Sequence, residues 1–564
     1  MVEAFPIAFL FFAGAALLAL LPKGALRAGV LLAVPLVALY LIWNLPEGNL
    51  FSAQLLNVEL ELMRVDRLSR IFAIIFCVAA FLANLYALHV KDTVQQVAAL
   101  AYSGSAIGAV FAGDLIALFL FWEGTAITSV FLIWARRTEG ALATGMRYLI
   151  IQVSSGVMLL AGTVLMWQET GSFTFEAMTL GSLGTWLLLA SFGIKAAFPL
   201  MGNWLSDAYP AATVTGTVIL SAFTTKLAIY ALARGFPGTE LLIYVGAVMT
   251  LLPTLYAILE NDLRRVLAYS LNIQLGFMVV GVGIGTELSL NGTVAHAFAG
   301  ILYKALLFMG VGAVLYRTGT AKASELGGLH RTMPLTMIFC AIGAMSIAAF
   351  PWLSGFISKS LILSAAAYKG YYIIWGVLLF ASAVTLHHSG LKILHNVFFG
   401  QDSGLRPKEA PVQMLLAMGM TAALCIALGI FPAMLYDLLP FAVDYAPYTL
   451  THIVTQFQLL LFAILSYVLL VKSGFYPAMK RSVYLDTDWS YRRMAPAVIG
   501  YAALMIGRMW TGVTRFALRQ LTDVATGLYK THGPEGRIAR VWPTGSMVLW
   551  VAVLLAAALL VNFL

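Results

Sequence analysis

The chain has 564 residues, of which 61% are hydrophobic and only 10% charged, with a formal net charge of +9. Soluble domains carry about a quarter charged residues, so this composition predicts an all-α polytopic membrane protein. Three isolated cysteines and the lack of a phosphate-binding loop of the GxxxxGK type argue against a disulfide framework, an iron–sulfur or zinc centre and direct use of ATP. We therefore expect no cofactor and no metal.

Sixteen apolar stretches are long enough to cross a bilayer, which takes about 20 helical residues each. In chain order they are 4–21, 25–45, 68–88, 95–112, 115–134, 146–166, 182–208, 212–233, 240–259, 266–285, 291–316, 334–366, 372–398, 411–436, 451–471 and 546–564. Glu3, with no basic residue before the first stretch, favours a retained membrane helix over a cleaved signal peptide. The even number of crossings predicts both termini on one side.

The basic residues of the loops predict which side that is. If the N-terminus is outside, the outer loops carry only Arg64, Arg67, Arg70, Arg234 and Lys369. The short inner loops carry Lys23, Arg27, Lys91, Arg136, Arg137, Arg147, Arg264, Arg265, Arg317, Lys322, Arg331, Lys392, Arg406 and Lys408. Since basic residues concentrate on the inner side, we expect a multi-pass bacterial inner-membrane protein with both termini outside. The positive charge then belongs to a membrane surface, and we expect no nucleic-acid partner.

A weak internal duplication divides the chain. Residues 95–234 and 235–400 each hold five spans, and the fourth span of each is interrupted, by Pro199 and by Pro351. Because five is odd, the second unit enters the membrane from the opposite face, and such paired interrupted helices indicate an ion site. Ordinary proline kinks are the alternative, but they would not explain the lysines nearby. The flanking segments are N-terminal helices (1–94), C-terminal helices (401–471), a polar and amphipathic segment (472–545) and a terminal anchor (546–564).

The segment before the anchor differs from the rest of the chain. Residues 484–493 are polar and are predicted outside the membrane, whereas 494–531 follow a helical amphipathic pattern. Its charged face carries Arg508, Arg515, Arg519 and Asp523. We expect a lateral helix roughly 60 Å long in the membrane interface, or alternatively two shorter surface helices.

Charged residues inside the first five-helix unit are the first candidates for a site. Lys195 precedes Pro199 in an apolar stretch, and burying an ammonium in hydrocarbon costs several kcal/mol, which indicates function. Glu123 is an acidic residue deep in a span, so Glu123, Lys195 and Lys226 form a candidate cluster that could act as an electrostatic switch. The alternative is a static buried salt bridge that fixes packing.

The second five-helix unit supplies the remaining candidates. Lys359 follows Pro351, and Lys304 follows His296 by eight residues, which places both on roughly one helix face. A line of bases suits proton hopping through water, although His296 could equally be a hydrogen-bonded interior histidine. His387 and His388 cannot both face one path, so we expect at least one to be structural.

Five stretches carry a family resemblance. They are LFLFWEGTAITSVFLIW (118–134), GIKAAFPLMGNWLSDAYPAATVTGTVILSAFTTKLAIYAL (193–232), ENDLRRVLAYSLNIQLGF (260–277), ILYKALLFMG (301–310) and FPWLSGFISKSLIL (350–363). In these stretches the chain resembles the antiporter-like subunits of respiratory complex I, of Mrp-type multisubunit sodium/proton antiporters and of membrane-bound hydrogenases. The D-like Mrp subunits with a lateral-helix extension are the nearest match in pattern.

The resemblance implies fourteen core helices with two inverted repeats inside a larger complex. It implies that Glu123 is the ion-pair glutamate and Lys195 the lysine of the first broken helix. It further implies that Lys226 is the neighbouring lysine, Lys304 the connecting lysine and Lys359 the lysine of the second broken helix. Gly300 stands where several relatives have a second histidine, which leaves His296 alone. The lateral helix would strap across a neighbouring subunit.

The sequence therefore predicts a proton-translocating, antiporter-like subunit of a multisubunit cation/proton antiporter, with sodium as the expected cation, or of a related ion-pumping complex. Its expected partners are other membrane subunits, protons, sodium and membrane lipids, and no redox or hydrolytic site of its own is expected. One alternative is a membrane subunit of a proton-coupled respiratory, hydrogenase or inorganic-carbon uptake complex. The other is an architectural subunit without transport of its own.

Overall fold

The computed structural model describes residues 5–55, 58–475 and 489–563. The chain divides into two compact units, Met1–Tyr484 and Leu485–Leu564. Within the described residues, 13 helices are long and apolar enough to cross a membrane, and Ile7–Leu20, Leu183–Lys195 and Pro334–Ile347 are shorter apolar helices. Each predicted stretch coincides with one or more of these helices. The all-α class is confirmed, while the number of crossings stays a prediction.

The first unit begins with two helices and a β-hairpin that precede the third helix. These elements are α1 (Ile7–Leu20), α2 (Ala25–Asn44), β1 (Gly48–Leu55), β2 (Val58–Val65) and α3 (Arg67–Tyr86). The two strands pair antiparallel, with Gly48 opposite Val65. The sequence analysis missed this hairpin, although residues 58–62 alternate apolar and acidic side chains with the period of a strand. Asp66 then starts α3 by accepting a hydrogen bond from the Ser69 backbone N–H.

Two consecutive sets of helices follow. The first set is α4 (Thr93–Phe111), α5 (Leu115–Trp134), α6 (Glu139–Thr170), α7 (Leu183–Lys195), α8 (Trp204–Ala211), α9 (Val214–Ala222) and α10 (Thr224–Gly235). The second set is α11 (Leu241–Leu259), α12 (Leu263–Ile284), α13 (Glu287–Thr318), α14 (Pro334–Ile347), α15 (Ser354–Tyr368) and α16 (Tyr372–Thr385). Two π-helical turns, Leu386–Leu391 and His395–Phe399, surround the short α17 (Lys392–Leu394). The unit ends with α18 (Val412–Ile430), α19 (Ala433–Tyr436) and α20 (Leu450–Lys472).

The second helix of each set begins in the same way. Asp114 caps α5 and pairs with Thr174, and Asp262 caps α12 and pairs with Lys322. Both residues of the second pair lie 148 positions after their counterparts, from 114 to 262 and from 174 to 322. This repeated backbone pattern is what an internal duplication would leave. The inversion of the two copies across the membrane stays a prediction.

The two proline interruptions share one backbone geometry. Ala197 and Ala349 both have a positive φ, 63° and 59°, and so do the residues that directly follow the two prolines, Leu200 and Trp352, both at 68°. A left-handed φ at a non-glycine residue costs about 1–3 kcal/mol and persists only where the surroundings enforce it. The interruptions are therefore a specified break of α7–α8 and of α14–α15, and a simple kink does not describe them.

The second unit contains one long helix and a terminal one. After a π-helical turn at Ser490–Met494 come α21 (Ala495–His532) and α22 (Thr544–Phe563). The 38 residues of α21 are continuous, which favours the single lateral helix of roughly 57 Å over two shorter ones. Residues 484–488 of the predicted polar stretch lie outside the described residues.

Close glycine packing joins α11 and α12, which yields a stability prediction. A Cβ on Gly276 would lie 2.7 Å from the Gly246 carbonyl oxygen and 2.9 Å from the Thr250 nitrogen. Gly276→Ala should therefore lower the free energy of unfolding by about 1–3 kcal/mol, because backbone must move to admit the methyl group. Thermal unfolding in detergent measures this. Gly376→Ala in α16 is the control, since nothing lies within 4 Å of its added Cβ; equal shifts in the two variants would contradict the packing argument.

Candidate functional site

Lys195 is the last residue of α7 and is completely buried. Its Nζ donates hydrogen bonds to the Trp122 carbonyl oxygen at 2.7 Å and to the Thr125 hydroxyl at 2.8 Å, both on α5. The same nitrogen lies 4.3 Å from the centroid of the Trp122 ring. The ammonium thus exchanges water for a carbonyl, a hydroxyl and an aromatic face, three groups that favour a cation.

Glu123 neighbours this lysine without being locked to it. The two side chains interact electrostatically, but no ion pair within 4 Å joins them among the described contacts. The Glu123 carboxylate lies directly against Gly156 of α6, where any side chain would collide with it. Its Oε1 is buried without a hydrogen-bond partner among the described residues, as are both amide atoms of Gln152, one turn before Gly156. Glu123 and Lys195 are therefore close enough to interact without forming a direct salt bridge among the described contacts, and their role as an electrostatic switch stays a prediction.

Lys226 lies beside a second helix interruption, at Phe223 between α9 and α10. Its Nζ donates to the Ser221 carbonyl oxygen at 2.6 Å, a group at the end of α9. The Thr224 backbone N–H donates to the Tyr102 hydroxyl oxygen at 2.9 Å. The side-chain hydroxyl of Thr224 lies 2.5 Å from the same Tyr102 hydroxyl. The break therefore leaves its polar backbone groups bonded to a lysine and a tyrosine.

Hydroxyl groups fill the space between the first two lysines. Ser129 lies one helical turn after Thr125, which binds Lys195. The Ser129 hydroxyl is 2.8 Å from the Tyr148 hydroxyl. Tyr148 in turn has Thr224 as a polar neighbour, next to Lys226 in the chain. All of these hydroxyl-bearing side chains are buried. The sequence analysis did not include Tyr148, because a lone tyrosine in an apolar helix carries no signal until its neighbours are known.

Lys359 is the counterpart of Lys195 in chemistry but not in position. Its Nζ donates to the Ile347 carbonyl oxygen at 2.7 Å and to the Ser382 hydroxyl at 3.3 Å. Lys195 lies four residues before Pro199, whereas Lys359 lies eight residues after Pro351. The two lysines thus occupy opposite halves of their broken helices. The Lys359 ammonium nevertheless bonds the carbonyl oxygen of Ile347, the last residue of α14.

His296 and Lys304 both lie buried on α13. The His296 ring nitrogens contact the Ser358 hydroxyl at 3.0 Å and the Gln274 side-chain oxygen at 3.2 Å. The Lys304 Nζ donates to the Leu267 carbonyl oxygen at 3.3 Å. Lys226 and Lys359 act electrostatically on both residues. The structure therefore brings the candidates of the two helix sets together around α13.

The adjacent histidines lie in the π-helical turn and face different groups. His387 contacts the Ala463 carbonyl oxygen at 2.7 Å and the Ser466 hydroxyl at 3.0 Å, both on α20. His388 contacts the Ser389 hydroxyl at 2.9 Å, and its Nε2 is buried without a partner among the described residues. His387 thus has the contacts of a packing residue and His388 those of a candidate proton carrier. π-Helical turns of this kind are frequent at functional sites.

Lys392 is a buried cation that the sequence analysis placed in an inner loop, and the structure corrects this. Its Nζ donates to the carbonyl oxygens of Ala257, Ile258 and Glu260 at 3.1, 2.8 and 2.5 Å. These carbonyls end α11, the negative end of its helix dipole. Lys392 also acts electrostatically on His388, one turn earlier. The four-residue spacing between His388 and Lys392 was the sequence pattern that could have placed Lys392 on the same helix face as His388.

Paired interrupted helices around a row of buried lysines define a class: polytopic membrane proteins of the ion-transporter type. The family model described as NADH:quinone oxidoreductase/Mrp antiporter, transmembrane, matches residues 112–385. The D-type subunit of the Na⁺/H⁺ antiporter of Alkalihalophilus pseudofirmus is 32% identical over 345 residues, which cover 57% of this chain and 69% of that protein. The chain belongs to this family, which confirms the resemblance drawn from its motifs.

Other relatives are longer than the part that this chain matches. Hydrogenase-4 component B of Escherichia coli is 29% identical over 428 residues, 65% of this chain and 62% of that protein. A probable K⁺/H⁺ antiporter subunit of the A/B type, from Rhizobium meliloti, is 30% identical over 403 residues, 66% of this chain but only 40% of that protein. The chain thus spans less than two thirds of the length of these two relatives.

Two solved structures share the fold. A chain of the Mrp complex from Dietzia has a TM-score of 0.65 at 21% identity, covering 77% of this chain and 91% of that one. A chain of the membrane-bound sulfane sulfur reductase, an archaeal respiratory membrane complex, has a TM-score of 0.72 at 22% identity. The match covers 99% of this chain and 100% of that one. At these identities the likeness shows the fold.

The bond between Tyr102 and the break at Phe223 yields a second prediction. Tyr102→Phe should destabilise the protein by about 1–3 kcal/mol, because it leaves the buried Thr224 N–H without an acceptor. Amide hydrogen exchange at Thr224 should accelerate. Tyr86→Phe is the matched control, since the Tyr86 hydroxyl only donates to the Met309 carbonyl oxygen within α13. Unchanged exchange at Thr224 in the Tyr102 variant would contradict this role.

Proposed function

We propose that this chain is a proton-translocating, antiporter-like subunit of a multisubunit cation/proton antiporter or of a related ion-pumping membrane complex. One observation carries the proposal: titratable side chains, partly buried at Glu123 on α5 and buried from Lys195 to Lys392 on α17, follow one another with polar groups between them. Interrupted helices are tolerated at membrane depth where the freed backbone groups find other partners. The contacts of Lys226 and Lys359 with such carbonyls fit that requirement.

The proposed route has a first half in the α4–α10 set. A proton exchanged at Glu123 changes the field at Lys195, whose ammonium is bonded to the first hydroxyl of the buried row. Hydroxyl groups donate and accept at once, so Ser129 and Tyr148 can pass a proton toward Lys226 by concerted rearrangement. No charged intermediate has to form on the tyrosine in such a step.

The second half runs from Lys226 through Lys304 to Lys359, with His296 and His388 beside it. Like charges disfavour one another at low dielectric, so the three lysines cannot all be ammonium groups at low cost. A proton that arrives on one lysine therefore promotes release from the next. Moving one charge across 100 mV is worth about 2.3 kcal/mol, which the membrane potential or a partner must supply or receive.

The finer assignments rest on the relatives and on the basic loops. We propose sodium as the exchanged cation, since several relatives are named as Na⁺/H⁺ antiporter subunits, with potassium as the second candidate. We place the protein in the bacterial inner membrane with both termini outside, and we keep the six segments predicted from sequence as its domains. Other membrane subunits would cover α21, none of whose described residues is buried.

A second candidate function is a membrane module of a respiratory or hydrogenase complex. Hydrogenase-4 component B supports it, because it is 29% identical over 428 residues, an alignment nearly as long as the 439 residues matched by an Na⁺/H⁺ antiporter subunit. The two candidates share the proton route and differ in what supplies the energy. An inorganic-carbon uptake module would require a further partner, and an architectural subunit would not need the buried lysines.

Variants of the first charge pair test the function directly. Everted vesicles containing the complete complex should lose their pH gradient when sodium, potassium or lithium is added. Glu123→Gln and Lys195→Ala should each slow this response at least about tenfold, since proton transfer by a positioned side chain contributes about 10²–10⁴-fold.

Glu139→Gln and Lys369→Ala, both at exposed positions, are the controls and should respond like the unmodified protein. Normal responses from both Glu123→Gln and Lys195→Ala would favour the architectural alternative. A proton current that follows substrate oxidation and ignores added cations would favour the respiratory candidate.

Tyr148 allows a separate test of the route. Tyr148→Phe removes the hydroxyl between Ser129 and Thr224 and should slow proton flux at least about tenfold, with little loss of stability. The matched control is Tyr209→Phe, because the equally buried Tyr209 hydroxyl donates only to the Leu220 carbonyl oxygen. Equal flux in the two variants would remove the hydroxyl row from the route, while leaving the lysines in place.

A further inference from the structure

A basic cavity lies at the end of the α1–α2 pair, away from the lysine row. It has a volume of 270 Å³ and lies between the loop that precedes α2 and the loop that precedes α4. Its charged lining residues are Lys23, Arg27 and Lys91, and no acidic side chain lines it. The nearby Asp92 carboxylate is engaged by Arg137 and by the start of α4. The cavity therefore concentrates positive charge that nothing in the described chain neutralises.

Two side chains of this lining, the buried Arg27 and the partly buried Gln96, each have one buried polar atom without a described partner. Arg27 is only 4% exposed; one guanidinium nitrogen, Nη2, donates to the Leu18 carbonyl oxygen at 2.6 Å, while its Nε has no partner among the described residues. Gln96 donates from Nε2 to the Val90 carbonyl oxygen at 2.9 Å, and its Oε1 is likewise without a described partner. Buried polar groups are normally satisfied, so a missing donor partner and a missing acceptor partner indicate a ligand.

The N-terminus of α2 adds a third element. α2 begins at Ala25 with Gly24 as its N-cap, and no side chain caps its first backbone N–H groups. Uncapped N–H groups and the positive end of the helix dipole form an anion site. Three cationic side chains and this 20-residue helix thus converge on one cavity.

We infer that this cavity binds the headgroup of an anionic glycerophospholipid of the phosphatidylglycerol type. The phosphate would lie on the basic side chains and the α2 terminus, and a headgroup hydroxyl would donate to Gln96 Oε1. Leu17 and Leu20, near the end of α1 that Arg27 bonds, are 45% and 83% exposed, and Leu26, next to the lining residues Ala25 and Arg27, is 65% exposed; together they supply an apolar surface for acyl chains. These exposed leucines favour a lipid over free phosphate. Lys23 and Lys91 belong to loops predicted to face the inner leaflet, and Arg27 lies in the first turn of α2 at the same end; anionic lipid attracts Lys and Arg there.

Lipid titration of the full-length chain, purified in a neutral detergent, tests the inference. Phosphatidylglycerol should bind, measured by native mass spectrometry and by thermal stabilisation, and phosphatidylcholine should bind much more weakly. The double variant Lys23→Gln/Lys91→Gln should weaken phosphatidylglycerol binding roughly 25-fold, since each basic side chain near an anionic headgroup contributes about fivefold. Lys322→Gln/Lys408→Gln, with two other exposed loop lysines, is the matched control and should leave binding unchanged.

Two further arms separate the possible ligands. Gln96→Leu should weaken phosphatidylglycerol about fivefold and leave phosphatidic acid, which has no headgroup hydroxyl of the glycerol type, unaffected. Inorganic phosphate at millimolar concentration should neither stabilise the protein nor displace the lipid. Equal binding of phosphatidylglycerol and phosphatidylcholine would overturn the inference, as would loss of binding in both double variants alike. Stabilisation by inorganic phosphate with displacement of the lipid would show a small-anion site instead. Arg27→Gln is avoided as the main variant, because Arg27 also bonds the end of α1.

Discussion

A buried ammonium needs acceptors, and for three of its lysines this chain supplies them where helices end. Lys226 bonds a carbonyl at the end of α9, Lys359 the last carbonyl of α14, and Lys392 three carbonyls that end α11. In an unbroken helix those oxygens would be used by the next turn. The interruptions and the lysines therefore depend on each other, since each satisfies a group that the other leaves buried. At α14 the strained backbone of Ala349 is part of the cost of that arrangement.

Residue chemistry and spacing predicted much of this architecture. The hydropathy of the chain indicated the spans, and prolines near lysines located both broken helices, because few other patterns put a cation in an apolar stretch. The β-hairpin at 48–65 was missed because its alternation covers only a few residues between two strong helical stretches. Lys392 was misplaced because a loop and a helix end look alike in sequence, and only the fold shows that α11 ends against it.

The unequal positions of Lys195 and Lys359 show why contacts could not be read from sequence. Counting from the prolines, the two lysines belong to different halves of their helices, and Lys195 reaches α5 while Lys359 reaches back to α14. Two breaks with the same backbone geometry thus carry different side-chain contacts. The pairing of Tyr148 with Ser129 was unpredictable for the same reason. It is a contact between α6 and α5, and sequence spacing does not indicate which residues of two different helices touch.

The asymmetry also gives the two halves different electrostatics. In the first half a carboxylate, Glu123, opposes Lys195, so a negative charge can hold the lysine proton. In the second half Lys304 has Lys226 and Lys359 as its charged neighbours, and the coupling there is repulsive. The two ends of the row thus differ in the sign of their coupling, which is attractive at Lys195 and repulsive at Lys304.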